Sequence, residues 1–98
     1  MPAAPTNIRF LTPKERPSRT INLAWDANAA GDNVTNYNLY HGNMTGTYTG
    51  VGGAAVPIDL GNVTTYAFTT SAFHGVFLAL KAENVGGESA SYSNEVYT

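Results

Sequence analysis

The chain has no cysteine among its 98 residues, so neither a disulfide framework nor a thiolate-bound zinc holds it together. Charge is scarce as well, at 12% of residues. With 5 Lys and Arg in all, it lacks the broad basic stripe by which nucleic-acid modules grip phosphate, and no nucleic-acid partner is expected. No apolar run approaches the roughly 20 residues of a membrane-spanning helix, so no membrane insertion is expected. The first segment carries prolines and charges but no apolar core of the kind a secretory signal needs.

Helical periodicity is missing too. No stretch sustains apolar residues at a spacing of about 3.6, and alternation takes its place. In "TINLAWD" (20–26), Ile21, Leu23 and Trp25 share one face. In "VTNYNLYH" (34–41), Tyr37 and Leu39 point one way while Asn36, Asn38 and Tyr40 point the other. "TTYAFT" (64–69) places Tyr66 and Phe68 together, and "VFLALKAE" (76–83) does the same for Val76, Leu78, Leu80 and Ala82. "TNIRFL" (6–11) reads as a first strand and "ASYSNEVY" (90–97) as a last. "TYTGV" (47–51) starts an edge strand that "GGAAVP" interrupts and "IDLGN" (58–62) resumes. The segments between are rich in Gly, Pro, Asn and Ser, and prolines 13 and 17 bar both helix and central strand from 12–19.

Seven short strands at turn spacings of about 8–12 residues predict an all-β, antiparallel two-sheet sandwich. The expected domain is single, spanning 1–98 with 1–5 as a flexible lead. A sandwich core is about 10 Å thick, and one large ring in a central strand spans much of it. Trp25, the one tryptophan, is therefore expected in the core.

On these residues the chain resembles a fibronectin type III domain, an immunoglobulin-like sandwich, and most nearly its bacterial and phage forms. The matching segments are "INLAWDAN", "VTNYNLYHG" with "TGTYTG", "DLGNVTTYAF", "LALKAENVGGES" and "SYSNEV", in family order from about residue 5 to 97. The resemblance implies that Trp25 is the second-strand core Trp and Tyr37 the third-strand core Tyr. Ala82 and Asn84 then fall at the end of the sixth strand. One departure stands out. The family's corner Tyr, early in the sixth strand, is replaced by Val76, and the short corner "TSAFHG" is expected to pack through Phe73 instead.

Catalysis needs converging groups, and the sequence offers none. His41 and His74 are the only histidines, on separate elements, and no nucleophile-elbow pattern surrounds any serine. "VGGAAV" is too sparse in glycine to cradle phosphate. "DANAAGD" opens like a calcium loop, but Ala30 stands where an oxygen ligand belongs and Tyr37 where the closing Glu would be. No enzyme activity, metal or cofactor is expected. Asn33, Asn43 and Asn62 each begin an Asn-x-Thr sequon, which matters only on a glycosylating secretory route.

What remains is surface. Residues 1–20 carry Arg9, Lys14, Arg16 and Arg19 against Glu15, a net +3; beyond them Lys81 stands against six carboxylates, a net −5. The basic segment is a candidate contact for an acidic partner surface. On the sheet of the third, sixth and seventh strands, Tyr40, Phe77 and Ala79 face outward, rimmed by Asn36, Asn38 and Lys81. Exposed aromatics there suit a protein interface or a sugar ring. The expected role is a non-enzymatic structural or adhesion module. Met1 and the missing export signal suggest a small phage virion protein on a capsid or tail, with host-surface glycans as a further partner. The alternative is a spacer or carbohydrate-adhesion module of a secreted, extracellular bacterial enzyme.

Overall fold

The computed structural model describes residues 2–11, 20–50, 56–69 and 75–98. Among the described residues eight strands follow in chain order: β1 (Thr6–Phe10), β2 (Thr20–Asp26), β3 (Asn36–Gly42), β4 (Ile58–Gly61), β5 (Thr65–Thr69), β6 (Phe77–Asn84), β7 (Gly87–Glu88) and β8 (Val96–Tyr97). They form a three-stranded sheet, β1-β2-β5, and a five-stranded sheet in which β4-β3-β6-β7 are ordered and β8 also pairs with β6. Every pairing is antiparallel.

The alternating residues do what their spacing requires. Ile21, Leu23 and Trp25 are buried from one sheet, and Tyr37, Leu39, Leu78, Leu80 and Ala82 from the other. Register makes the two faces coherent: Ile21 lies opposite Phe68, Tyr37 opposite Ala82 and Leu39 opposite Leu80. The Trp25 and Tyr37 rings meet edge to face, their centroids 5.6 Å apart at 63°, the geometry that aromatic quadrupoles prefer. The Tyr37 hydroxyl takes a hydrogen bond from the Asn28 backbone N–H at 3.0 Å and donates to Asn28 Oδ1 at 3.3 Å. The core tyrosine thereby fixes the loop that follows β2. Trp25 Nε1 is buried and finds no acceptor among the described residues.

Two strand assignments change. Residues 47–50 form no strand; Gly46, at φ +71°, closes a turn in which Thr47 donates to the Met44 carbonyl at 3.2 Å. Among the described residues, β4 is the strand that borders β3 at that edge of the sheet. Of the expected last strand, 90–97, only β8 (Val96–Tyr97) is strand; β7 falls ahead of it at Gly87–Glu88, and the segment between them is irregular.

Hydroxyl groups explain how that break is tolerated. The β6 amides cannot be left unbonded in the interior. Leu80 N donates to Ser93 Oγ at 2.9 Å, Ala82 N to Ser89 Oγ at 3.3 Å, and Val76 N to Thr98 Oγ1 at 3.0 Å. Backbone bonds run the other way, from Ser89, Ser93 and Thr98 amides to the Ala82, Leu80 and Val76 carbonyls. Each of these three residues thus mimics a strand partner with one backbone donor and one side-chain acceptor. Val76, in the place of the family's corner Tyr, is a buried core residue tied by Thr98. Phe73, expected to pack that corner, lies outside the described residues.

The opposite sheet is tied to the same segment. β1 contains a bulge between Thr6 and Arg9, with Asn7 left-handed at φ 59°, a conformation Asn tolerates better than most residues. Ile8, within the bulge, receives both its outer hydrogen bonds from one side chain: Asn94 Oδ1 accepts from Ile8 N and Asn94 Nδ2 donates to Ile8 O, each at 2.9 Å. Asn94 therefore closes the sandwich along one side. Ahead of β1, Pro5 is buried and the Ala3 carbonyl accepts from Asn28 Nδ2 at 2.7 Å.

Two stability outcomes follow. Trp25→Ala should cost about 3–5 kcal/mol in urea unfolding, whereas Trp25→Phe, which also removes the unbonded N–H, should cost clearly less. Ser93→Ala strands the Leu80 amide and should cost about 1–3 kcal/mol, while exposed Ser91→Ala should leave the unfolding midpoint nearly unchanged.

Candidate functional site

The outer face of the β3/β6 pair carries Asn36, Asn38, Tyr40 and Gly42 on β3, opposite Glu83, Lys81, Ala79 and Phe77 on β6. Tyr40 and Phe77 thus face outward as their alternation predicts, but neither stands alone. Phe77 is half-buried against Tyr97 of β8, with centroids 4.4 Å apart. Ala79, at an outward position, is fully buried.

Tyr40 belongs to a cluster of three tyrosines. Its ring meets Tyr92 edge-on at 5.0 Å, and Tyr92 meets Tyr48 edge-on at 4.8 Å. The break between β7 and β8 supplies Tyr92. The turn after β3 supplies Tyr48, and glycine is what lets that turn lie so close. A Cβ on Gly42 would overlap the Thr47 carbonyl oxygen and come within 2.9 Å of the Tyr48 Cα.

Two glutamates fix the rings. Glu88 Oε2 accepts from the Tyr40 hydroxyl at 2.7 Å and from Asn38 Nδ2 at 2.8 Å. Glu95 takes three donors from a single turn: Thr45 Oγ1 at 2.6 Å, Gly46 N at 3.0 Å, and the Tyr48 hydroxyl. Partial burial, then the adjacent carboxylate, pushes the Tyr40 and Tyr48 hydroxyls well above the usual phenol range. Both hydroxyls therefore stay protonated and remain donors. Desolvation acts to raise the Glu95 pKa, but the bonds from Thr45, Tyr48 and Gly46 outweigh it and hold the carboxyl below its ordinary value.

Lys81 lies over this assembly, its Nζ 4.6 Å from the Tyr92 ring centroid and 5.7 Å from that of Tyr40. Such cation–π contacts are worth about 0.5–1 kcal/mol at exposed sites. The face has rings, amides, carboxylates and one ammonium, but no nucleophile beside a base. His41 alternates with Tyr40 and points into the core, where it is fully buried with its ring 5.3 Å from Phe68. Among the described residues no group of His, Asp or Glu side chains is disposed to hold a metal. In the loop with calcium-like spacing, Asn28 instead donates to Asp32 Oδ2 at 3.0 Å.

The basic candidates separate. Arg9 sits on β1, in the other sheet, with Nη1 3.3 Å from Asp26 Oδ1 and both side chains about half exposed, a pairing of little energetic weight. Lys14, Arg16 and Arg19 lie outside the described residues. Tyr48, Tyr92, Glu88 and Glu95 were not legible as site residues. Tyr48 sits in a turn whose path depends on Gly42, and Tyr92 in a segment that alternation reads as regular strand.

Glu95 makes the site pH-sensitive in one direction. Because its carboxyl is held below the ordinary value in the folded protein, the turn anchorage is complete above the usual carboxylate range. It is lost only as pH falls through the lowered value. Tyrosine side-chain NMR signals should report Tyr48 leaving Tyr92 in that acid range. In Glu95→Gln the same change should already be present at neutral pH.

No family model and no curated protein sequence matches the chain. Among solved structures it is similar to the fibronectin type-III domain of human fibronectin type III domain containing protein 3, with a TM-score of 0.68 and 20% identity, over 99% of this chain and 84% of that one. The similarity covers nearly the whole chain, and the chain accordingly has the fold of a fibronectin type III domain.

Proposed function

We propose that the protein is a non-catalytic docking module that decorates a phage capsid or tail, with the Tyr40/Tyr48/Tyr92 face as its principal contact. One observation carries the docking role. Glu88 and Glu95 hold the Tyr40 and Tyr48 hydroxyls, and these two rings pack against Tyr92, which remains 38% exposed. Aromatic side chains that are rigid before contact lose little conformational entropy on binding, and they dominate interface energetics where they occur. The fold supports a module that binds rather than catalyses. The particle as the assembly extends the sequence reading of a virion protein. The segment with Lys14, Arg16 and Arg19 then adds electrostatic attraction to an acidic particle surface, screened over roughly 8 Å at physiological salt.

Co-sedimentation with phage particles from the protein's own source tests this. Wild-type protein should pellet saturably. Tyr92→Ala should lose about tenfold in affinity, equivalent to about 1.4 kcal/mol, while keeping its thermal midpoint. A Lys14→Ala, Arg16→Ala, Arg19→Ala triple variant should bind more weakly at low salt and converge on wild type at high salt. Absence of saturable uptake by the wild type, or full uptake of Tyr92→Ala, would remove the reading.

A further inference from the structure

The aromatic face shows what it can accept through the bonds it has not already made. Its carboxylates are occupied. Glu83 Oε1 accepts from Asn36 and Asn38, Glu88 Oε2 from Asn38 and Tyr40, and Glu95 from Thr45, Gly46 and Tyr48. A cationic partner would have to displace these bonds. A polyanion meets three carboxylates against one ammonium. Both classes of charged partner are therefore disfavoured by the face itself.

Two groups remain uncommitted. The Tyr92 hydroxyl and the Lys81 ammonium have no hydrogen-bond or ion-pair partner among the described residues; Lys81 makes only its ring contacts. Tyr92 is also the most exposed ring of the three. Its ring packs in T-shaped contacts against Tyr40 and Tyr48, with centroids 5.0 and 4.8 Å away, which hold it in place. Met44 and Val85, exposed apolar residues nearby in sequence, sit on turns. A partner must therefore offer a flat apolar surface for one ring, oxygen acceptors for an ammonium, and no net charge.

A pyranose ring has this chemistry. Its axial C–H groups make one face apolar, and its hydroxyl and ring oxygens lie around the rim. We infer that Tyr92, with Lys81 beside it, is a binding subsite for neutral hexose units of a surface polysaccharide. The sugar stacks on the Tyr92 ring in place of the Lys81 ammonium, which now lies over it at 4.6 Å; displaced to the rim, Lys81 joins the Tyr92 hydroxyl in bonding the sugar's oxygens. The inference rests on the proposed docking face and names one of its ligands.

Nitrogen-15 NMR titration of the whole chain with neutral gluco-, manno- and galacto-hexasaccharides at millimolar concentration tests it, with a sulfated oligosaccharide as the charged comparison. At least one neutral hexasaccharide should shift the amides of residues 79–81 and 91–93 saturably. Tyr92→Ala should weaken that binding about tenfold or more. Tyr92→Phe should retain most of it, and Lys81→Gln should weaken it several-fold. Val85→Ser, on the hairpin tip, should bind as wild type. If no neutral sugar produces shifts, if only the sulfated one does, or if Tyr92→Ala binds unchanged, the subsite is overturned. Should sugars fail while Tyr92→Ala still abolishes particle uptake, the face is a protein contact and the docking role stands without the glycan.

Discussion

The backbone amides of β6 constrain the rest of the molecule. This strand is central in the five-stranded sheet and its inward residues Leu78, Leu80 and Ala82 are fully buried. Its N–H groups need acceptors; β3 borders one side, and an unbroken neighbour on the other would supply the alternate ones from backbone. Instead the neighbour leaves the ladder between β7 and β8, and Ser89, Ser93 and Thr98 return their hydroxyls to it. Because these side chains keep the amides bonded, the backbone between them is released from strand geometry. That release gives Tyr92 a place over Tyr40, and Glu95 a place within reach of the turn at 44–47.

The same segment joins the two sheets. Asn94 bonds both backbone groups of Ile8, at the bulge in β1, so an irregular stretch in one sheet holds an irregular stretch in the other. The core can then be simple. Trp25 and Tyr37 pack ring to ring across it, and the Tyr37 hydroxyl emerges to bond Asn28 in the loop after β2. An isolated buried hydroxyl would be costly; here it is satisfied and also anchors a loop.

On the outer face, electrostatics and packing cooperate. Hydroxyl-to-carboxylate bonds are among the stronger neutral-to-ion hydrogen bonds. Those from Tyr40 and Tyr48 orient two rings whose edges then confine Tyr92. Gly42 is the steric condition for this, because any side chain there would drive the turn and Tyr48 away from the sheet. Order at this site thus comes from one glycine, two glutamates and the serines of the broken strand, which lie around the three rings.

Sequence alone determined the sandwich. Alternation places Ile21, Leu23, Trp25, Tyr37, Leu39, Leu78 and Leu80 on buried faces, and all seven are buried. It does so because side-chain direction in a strand has a period of two whatever the neighbours are. The outward direction of Tyr40 and Phe77 followed from the same rule. Tertiary structure alone decided the break in the last strand, since serines at 89 and 93 look like ordinary strand residues until their hydroxyls are seen to replace backbone acceptors. It also decided that Phe77 is covered by Tyr97, and that Tyr40 joins Tyr48 and Tyr92 from two other segments. The farthest of them join distant segments, as Tyr40 does with Tyr92 and with Glu88, 48 residues on. Local periodicity carries no information about which distant loop folds onto a face, because that depends on steric room at Gly42 and on hydrogen bonds that exist only once the sheets are assembled.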